Sequence, residues 1–166
     1  SRDWSSDVCS SDLRSSSSYN YGTLMLSSAT LGGTGALTNA GSMTVNSASV
    51  TAGLVQGVGG SLAASGANLF SGPFAMGAGA LDIQSGATTI MGGASVAGGV
   101  TVGTGATLAL NGGEQIFYVD SSTSSVGSIS GLPGSTVSVG GASVTLNPGT
   151  TLKADVSEGR SGTLNV

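Results

Sequence analysis

Histidine is absent from the 166 residues, Lys and Arg together number 4, and charged side chains make up only 7% of the chain. An average soluble domain carries roughly 25% charge. Without imidazole there is no Ser-His-Asp or Cys-His relay and no histidine-ligated metal. No Lys or Arg lies between Ser15 and Leu152, so the basic patch that nucleic-acid binding requires is missing. A lyase that needs a cationic base has no candidate there either. Aromatic residues are 4% and cysteine occurs once, at Cys9. No complete dinucleotide-binding or Walker-type glycine loop is present, and no apolar run is long enough for a membrane-spanning helix.

What the chain has in excess is glycine and serine, 30 residues of each, with 3 prolines. That abundance ordinarily marks low complexity or disorder. The mean hydropathy of +0.31 and the 39% hydrophobic content oppose that reading, because disordered chains are poor in apolar residues. A chain this apolar with so few large side chains has to bury many small ones in a repetitive arrangement.

The first thirteen residues differ from the rest. They hold the only Trp (Trp4), the only Cys (Cys9) and three of the eight acids (Asp3, Asp7, Asp12). Arg2 to Leu13, Arg-Asp-Trp-Ser-Ser-Asp-Val-Cys-Ser-Ser-Asp-Leu, resembles the translation of a common short-read sequencing adapter. Residues 1–13 are therefore set aside as an adapter-derived artefact, and residues 1–21 are expected to be disordered. The remainder has three basic residues (Arg14, Lys153, Arg160) against five acids (Asp82, Glu114, Asp120, Asp155, Glu158), a net charge of −2.

Glycine recurs every nineteen residues at Gly22, Gly41, Gly60, Gly79 and Gly98. Two positions on runs an apolar column of Leu24, Met43, Leu62, Leu81 and Val100, continuing at the same step to Val119. A second column holds Leu26, Val45, Ala64, Ile83 and Val102. A third phase reads Leu31, Val50, Leu69, Thr88, Thr107 and Val126. Apolar-x-apolar pieces such as Val100-Thr101-Val102 have the period of a strand with one buried face. No helical apolar stripe accompanies them, and glycine with β-branched residues opposes helix. Gly-Ala, Gly-Gly, Asn-Gly and Pro-Gly pairs between the pieces supply the turns.

A nineteen-residue unit is too short for a βαβ crossover but suits a coil of two or three short strands. The predicted fold is all-β: a parallel β-helix, or β-solenoid, of roughly seven rungs over residues 22–166 as a single domain. Residues 113–134 are expected to be irregular, because Phe117 falls where the period predicts glycine and 121–130 is serine-rich. Phe70, Phe74, Phe117 and Tyr118 are expected to pack rather than to bind. A rod cut from a longer coil also exposes strand edges, so edge-to-edge self-association is expected of the isolated chain.

Units such as Gly35-Ala36-Leu37-Thr38-Asn39-Ala40-Gly41-Ser42-Met43-Thr44-Val45 resemble the passenger-domain repeats of bacterial autotransporter adhesins. They are also similar to the nineteen-residue repeats of filamentous-haemagglutinin-like exoproteins. The resemblance implies an exported β-helix displayed on the bacterial outer membrane or released outside the cell. It implies a stem without catalysis, cofactor or metal, holding regions outside this chain toward cell-surface glycans or proteins.

The alternative function is a carbohydrate-active β-helix enzyme. Asp82 and Asp120 are two periods apart in the outward column that also contains Thr44 and Thr101. If that register holds, their carboxyls stand about 9.6 Å apart by rung spacing, near the upper end used by inverting glycosidases. Outward acids on a rod otherwise serve to solvate it, and the lone acids lack the clustering a metal site needs. Outward Thr44 and Thr101 share their column with Ala63 and Asp82, which breaks any regular hydroxyl array suited to ice.

Overall fold

In the computed structural model the described residues are 10–13, 17–140, 143–148, 150–153, 156–158 and 163–165. They form a parallel β-solenoid with a three-sided cross-section. Each rung runs through three short strands that contribute to three sheets, here C, A and B in chain order. Two strands come first: β1 (Ser10–Leu13) on sheet A and β2 (Ser18–Asn20) on sheet B. The first rung is β3 (Thr23–Ser27), β4 (Thr30–Gly33) and β5 (Ala36–Asn39). The second is β6 (Ser42–Asn46), β7 (Ser49–Val50) and β8 (Gly53–Gln56). The third is β9 (Ser61–Ser65), β10 (Ala67–Phe70) and β11 (Phe74–Met76). The fourth is β12 (Ala80–Ile83), β13 (Ala87–Ile90) and β14 (Ala94–Val96). The fifth is β15 (Gly99–Val102), β16 (Thr107–Leu110) and β17 (Glu114–Phe117). A hairpin of β18 (Val119–Asp120) and β19 (Ser125–Val126) intervenes. The sixth rung is β20 (Ser128–Gly131), β21 (Thr136–Val139) and β22 (Ser143–Leu146). The seventh is β23 (Thr151–Lys153), β24 (Val156–Glu158) and β25 (Thr163–Asn165).

The nineteen-residue grid is the register of sheet C. Thr23 pairs with Ser42, Ser42 with Ser61, Ala80 with Ser61 and with Gly99. Leu24, Met43, Leu62, Leu81 and Val100 are thereby stacked in one buried column, and Leu26, Val45, Ala64, Ile83 and Val102 in another. The glycine column sits where the chain turns from sheet B into sheet C. A Cβ on Gly98 would run into the carbonyl oxygen of Gly79 one rung below, so the close approach of stacked corners excludes any side chain there.

The corner from C to A has a different demand. One residue in each of six successive corners has positive φ: Ser28, Ser47, Gly66, Gly86, Gly105 and Gly134. At Leu132-Pro133-Gly134-Ser135 the Ser135 amide donates to the Leu132 carbonyl at 2.9 Å. Proline followed by a left-handed glycine is the sequence of a type II turn.

Two registers differ from those expected. On sheet A the step becomes twenty after Val50, which pairs with Phe70; Phe70 pairs with Ile90, and Ile90 with Leu110. Phe70 therefore points inward and Leu69 does not, while Thr88 is buried in a column with Asn68 and Leu108. Thr107 pairs with Ala87 and is only half-buried. The extra residue enters at the C-to-A corner and is offset by one residue fewer at the B-to-C corner that follows, which keeps sheet C on its step of nineteen.

The second difference follows the fifth rung. Sheet C steps from Gly99 to Ser128 and from Val100 to Ile129, so Val119 and Val126 do not continue the buried columns and are instead exposed at 42% and 41%. Tyr118 takes the place that Ala97 has one rung earlier: its amide donates to the Val96 carbonyl at 2.9 Å, as that of Ala97 does to Met76 at 2.7 Å. Gly127 then stands in the glycine column, its amide bonded to the Tyr118 carbonyl at 2.9 Å. The irregularity expected over 113–134 is thus an excursion of residues 119–126 between intact rungs. Phe117, which breaks the glycine period, is buried on sheet B opposite Val96 and Leu146. Phe70 and Phe74 pack as a tilted pair with centroids 5.9 Å apart, as expected of core residues.

Order also begins before Gly22. Ser18–Asn20 pairs with Leu37–Asn39, and Ser10–Leu13 with Thr30–Gly33. The unpaired backbone groups of a first-rung strand are a template for any chain that can extend beside them. Residues 1–9 and 14–16 of the segment expected to be disordered, which include Trp4 and Cys9, lie outside the described residues.

Two outcomes follow. Deleting Val119–Val126, which joins Tyr118 to Gly127, is expected to leave the β-sheet circular dichroism and the thermal midpoint nearly unchanged. Gly98→Ala is expected to lower stability by about 1–3 kcal/mol through overpacking against backbone, measured by denaturant unfolding.

Candidate functional site

Asp82 faces outward on sheet C, in register with Ala63 below and Thr101 above. The next position in that column is Ser130. Asp120 is instead in the first strand of the hairpin, paired with Ser125. The expected stacking of Asp82 and Asp120 two rungs apart does not occur, because the excursion enters before the column is resumed. Asp82 accepts a hydrogen bond from Gln84 Nε2 at 3.2 Å.

Asp120 organises the tip of the hairpin. Its Oδ1 accepts from the Ser122 amide at 2.9 Å and from Ser122 Oγ at 2.6 Å, and its Oδ2 accepts from Thr123 Oγ1 at 2.9 Å. The Ser122 hydroxyl, then the Thr123 hydroxyl and the Ser122 amide, favour the ionised form and lower the carboxyl pKa from its ordinary value. This is a loop-closing Asx arrangement, with neither a base nor a nucleophile aimed at a common point.

Sequence reasoning missed a line of buried amides on sheet B. Asn20, Asn39 and Gln56 share one inward column and are essentially inaccessible. Asn20 Nδ2 donates to Asn39 Oδ1 at 2.6 Å, and Asn39 Nδ2 to Gln56 Oε1 at 2.9 Å. The same nitrogens donate to the Ser42 and Ser61 carbonyls at 3.1 and 3.0 Å. The next residue in the column is Met76, and Gln56 Nε2 has no partner. Gln115, also buried, ties two corners together by donating to the Gly92 and Gly112 carbonyls, each at 2.7 Å. These amides satisfy backbone groups and one another; they present nothing to solvent. The signal in the sequence was an amide closing three successive sheet-B strands.

A groove of about 770 Å³ runs along the corner from sheet A to sheet B and the adjoining outer face of B. Its shape follows from corner length. Gly32–Gly35 separate Leu31 from Ala36 in the first rung, and Asn111–Gly113 separate Leu110 from Glu114 in the fifth. Between them only Thr51-Ala52, Ser71-Gly72 and Met91-Gly92 span the same corner. The long first corner (Gly33, Thr34, Gly35) bounds one end, Glu114 just after the long fifth corner bounds the other, and the short corners lie between. The floor is small and uncharged, with Gly53, Pro73, Ala75 and Gly93, and Glu114 lies at one end.

Among the described residues no group of three or more acidic, Cys or His side chains could hold a metal. No described helix is long and apolar enough to cross a membrane. No family model, no curated protein and no solved structure matches the chain.

Because the Asp120 pKa is lowered on folding, the hairpin tip draws stability from its ionised form, present above the unfolded aspartate value and lost as pH falls through the folded value. Relative to its intrinsic rate, hydrogen exchange at the Ser122 amide is expected to accelerate as pH falls below the ordinary aspartate range. Asp120→Ala is expected to cause that acceleration at neutral pH with the global unfolding midpoint retained.

Proposed function

We propose that this chain is a stem segment of a secreted or surface-displayed bacterial adhesin, a rigid spacer without catalysis. The observation that carries the reading is the stacking of seven rungs, with one continuous buried core running from Leu24 to Val144. Each rung adds about 4.8 Å of reach by contacting only its neighbours, so length is set by rung number. The likeness of the repeats to autotransporter and filamentous-haemagglutinin-like passengers supports the same reading. So does an outer surface almost free of charge along the rod, where Asp82, Glu114 and Asp120 are the only charged residues between Ser15 and Leu152. The partner-binding parts of such an adhesin are assigned to regions outside this chain, and its place to the cell exterior.

The enzymatic reading rests on Asp82 and Asp120 acting together, and their registers do not bring them into one column.

The test is made on the whole chain anchored to an outer membrane with a fluorescent tip. Duplicating one sheet-C period, residues 61–79, is expected to raise the tip by about 4.8 Å per copy. Incubation with a polysaccharide panel is expected to release no reducing ends. Cleavage that disappears in Asp82→Asn or Asp120→Asn would overturn the stem reading in favour of the enzyme.

A further inference from the structure

The groove has a continuation that its shape alone does not reveal. Ser17, Ala36, Gly53, Pro73, Gly93 and Glu114 stand in one outward column of sheet B. The parallel column on the same face is Tyr19, Thr38, Val55, Ala75, Ser95 and Ile116. Ser17 at one end and Glu114 at the other both line the groove, so it spans five rung steps, about 24 Å. Next to Ser17, past the lined part of the groove, Tyr19 begins the second outward column. With Tyr21 it forms a parallel pair of rings, centroids 6.0 Å apart and planes 6° apart. The rings are 51% and 71% exposed, in a chain that buries all three of its phenylalanines.

We infer that this face is a binding site for an extended glycan that is neutral or carries amines. Tyrosine rings offer flat apolar faces with a polar tip, and the aliphatic face of a sugar ring packs against such a surface. Along the groove the hydroxyls of Ser17, Thr34, Thr51 and Ser95 can each donate and accept, which suits a ligand rich in hydroxyls. The small side chains of the floor let a flat chain approach the backbone along the rod axis.

The same features disfavour other occupants. A peptide adding as a strand needs a free sheet edge; β5, β8, β11, β14 and β17 under the groove are paired on both sides, and the one free edge beside it, that of β2, runs across the rod instead of along the groove. A folded protein partner needs pockets for large anchoring side chains, and Gly53, Pro73, Ala75 and Gly93 provide a shallow floor instead. The charge at the groove is the Glu114 carboxylate, and the chain has no Lys or Arg from Ser15 to Leu152. An acidic polymer is repelled, and an amine is drawn to the Glu114 end.

The site adds to the stem reading without resting on it: the spacer keeps its length and gains a glycan contact of its own, besides the partner-binding parts assigned to regions outside this chain. The test is calorimetric titration of the full chain with three probes: β-glucan oligosaccharides, chitosan oligomers and oligogalacturonates. The first two are expected to bind and the third not. Ser95→Arg, which places a long side chain on the floor from an outward position, is expected to weaken binding at least about tenfold with the thermal midpoint unchanged. Thr51→Lys at the corner gives the same readout if Ser95→Arg folds poorly. Tyr19→Ala is expected to cost about tenfold. Glu114→Gln is expected to weaken the chitosan oligomers alone. Failure of all three probes to bind the unaltered chain, preference for oligogalacturonate, or full affinity in folded Ser95→Arg would each overturn the inference.

Discussion

The parallel hydrogen-bond ladder between each strand and its counterpart one rung away is the constraint on which the molecule depends. A strand in that position has no other partner for its backbone groups, so its residues must lie opposite those of the neighbouring rung, inward against inward. Small shifts are then forbidden, because a slip of one residue would turn every buried side chain to solvent. The corners are not so bound. They absorb the difference between steps of seventeen residues (Leu37 to Leu54) and of twenty (Leu54 to Phe74) on sheet B, while sheet C proceeds by nineteen. Strands carry the repetition and corners carry the variation.

That division determines what could be read from the residues alone. Sheet C was legible, because its corners into the next rung leave Gly41, Gly60, Gly79 and Gly98 at a constant interval, and its buried columns are nearly all aliphatic. Sheet A was legible only as far as Val50. An added corner residue shifts the phase by one, and a fixed period then selects Leu69, Thr88 and Thr107 instead of Phe70, Ile90 and Leu110. Polar residues inside the column, Asn68 and Thr88, hide the break by weakening the contrast between faces. Val119 and Asp120 satisfied the nineteen-residue count by coincidence of number, since the chain had already left the coil. Local counting has no access to the pairing that would reveal this.

The candidate sites were legible to a lesser degree for a related reason. Asp82 and Asp120 stand out in a chain with few charges, so rarity drew attention to them, yet the structure gives one a place on a flat face and the other a loop to close. The groove is made by the unequal lengths of five corners, none of which has a distinctive composition. Its polar lining is serine and threonine, which are too common here to carry a signal. Tyr19 and Tyr21 fell within a segment expected to lack structure. The hydrogen-bonded amides of sheet B were hidden because a buried polar residue contradicts the simple alternation on which strand assignment rests.

Those amides give the rungs individuality. Asn20, Asn39 and Gln56 form a polar thread through the first part of the core that ends at Met76. A rung drawn from beyond that point would set an aliphatic side chain against an amide and leave its hydrogen-bonding groups dry, at a cost of about 1–3 kcal/mol for each. Rungs that look interchangeable from outside are therefore keyed within. In a repetitive chain emerging residue by residue, where neighbouring units compete for the same slot, such a key discriminates against coils that skip a unit or fold back one too early.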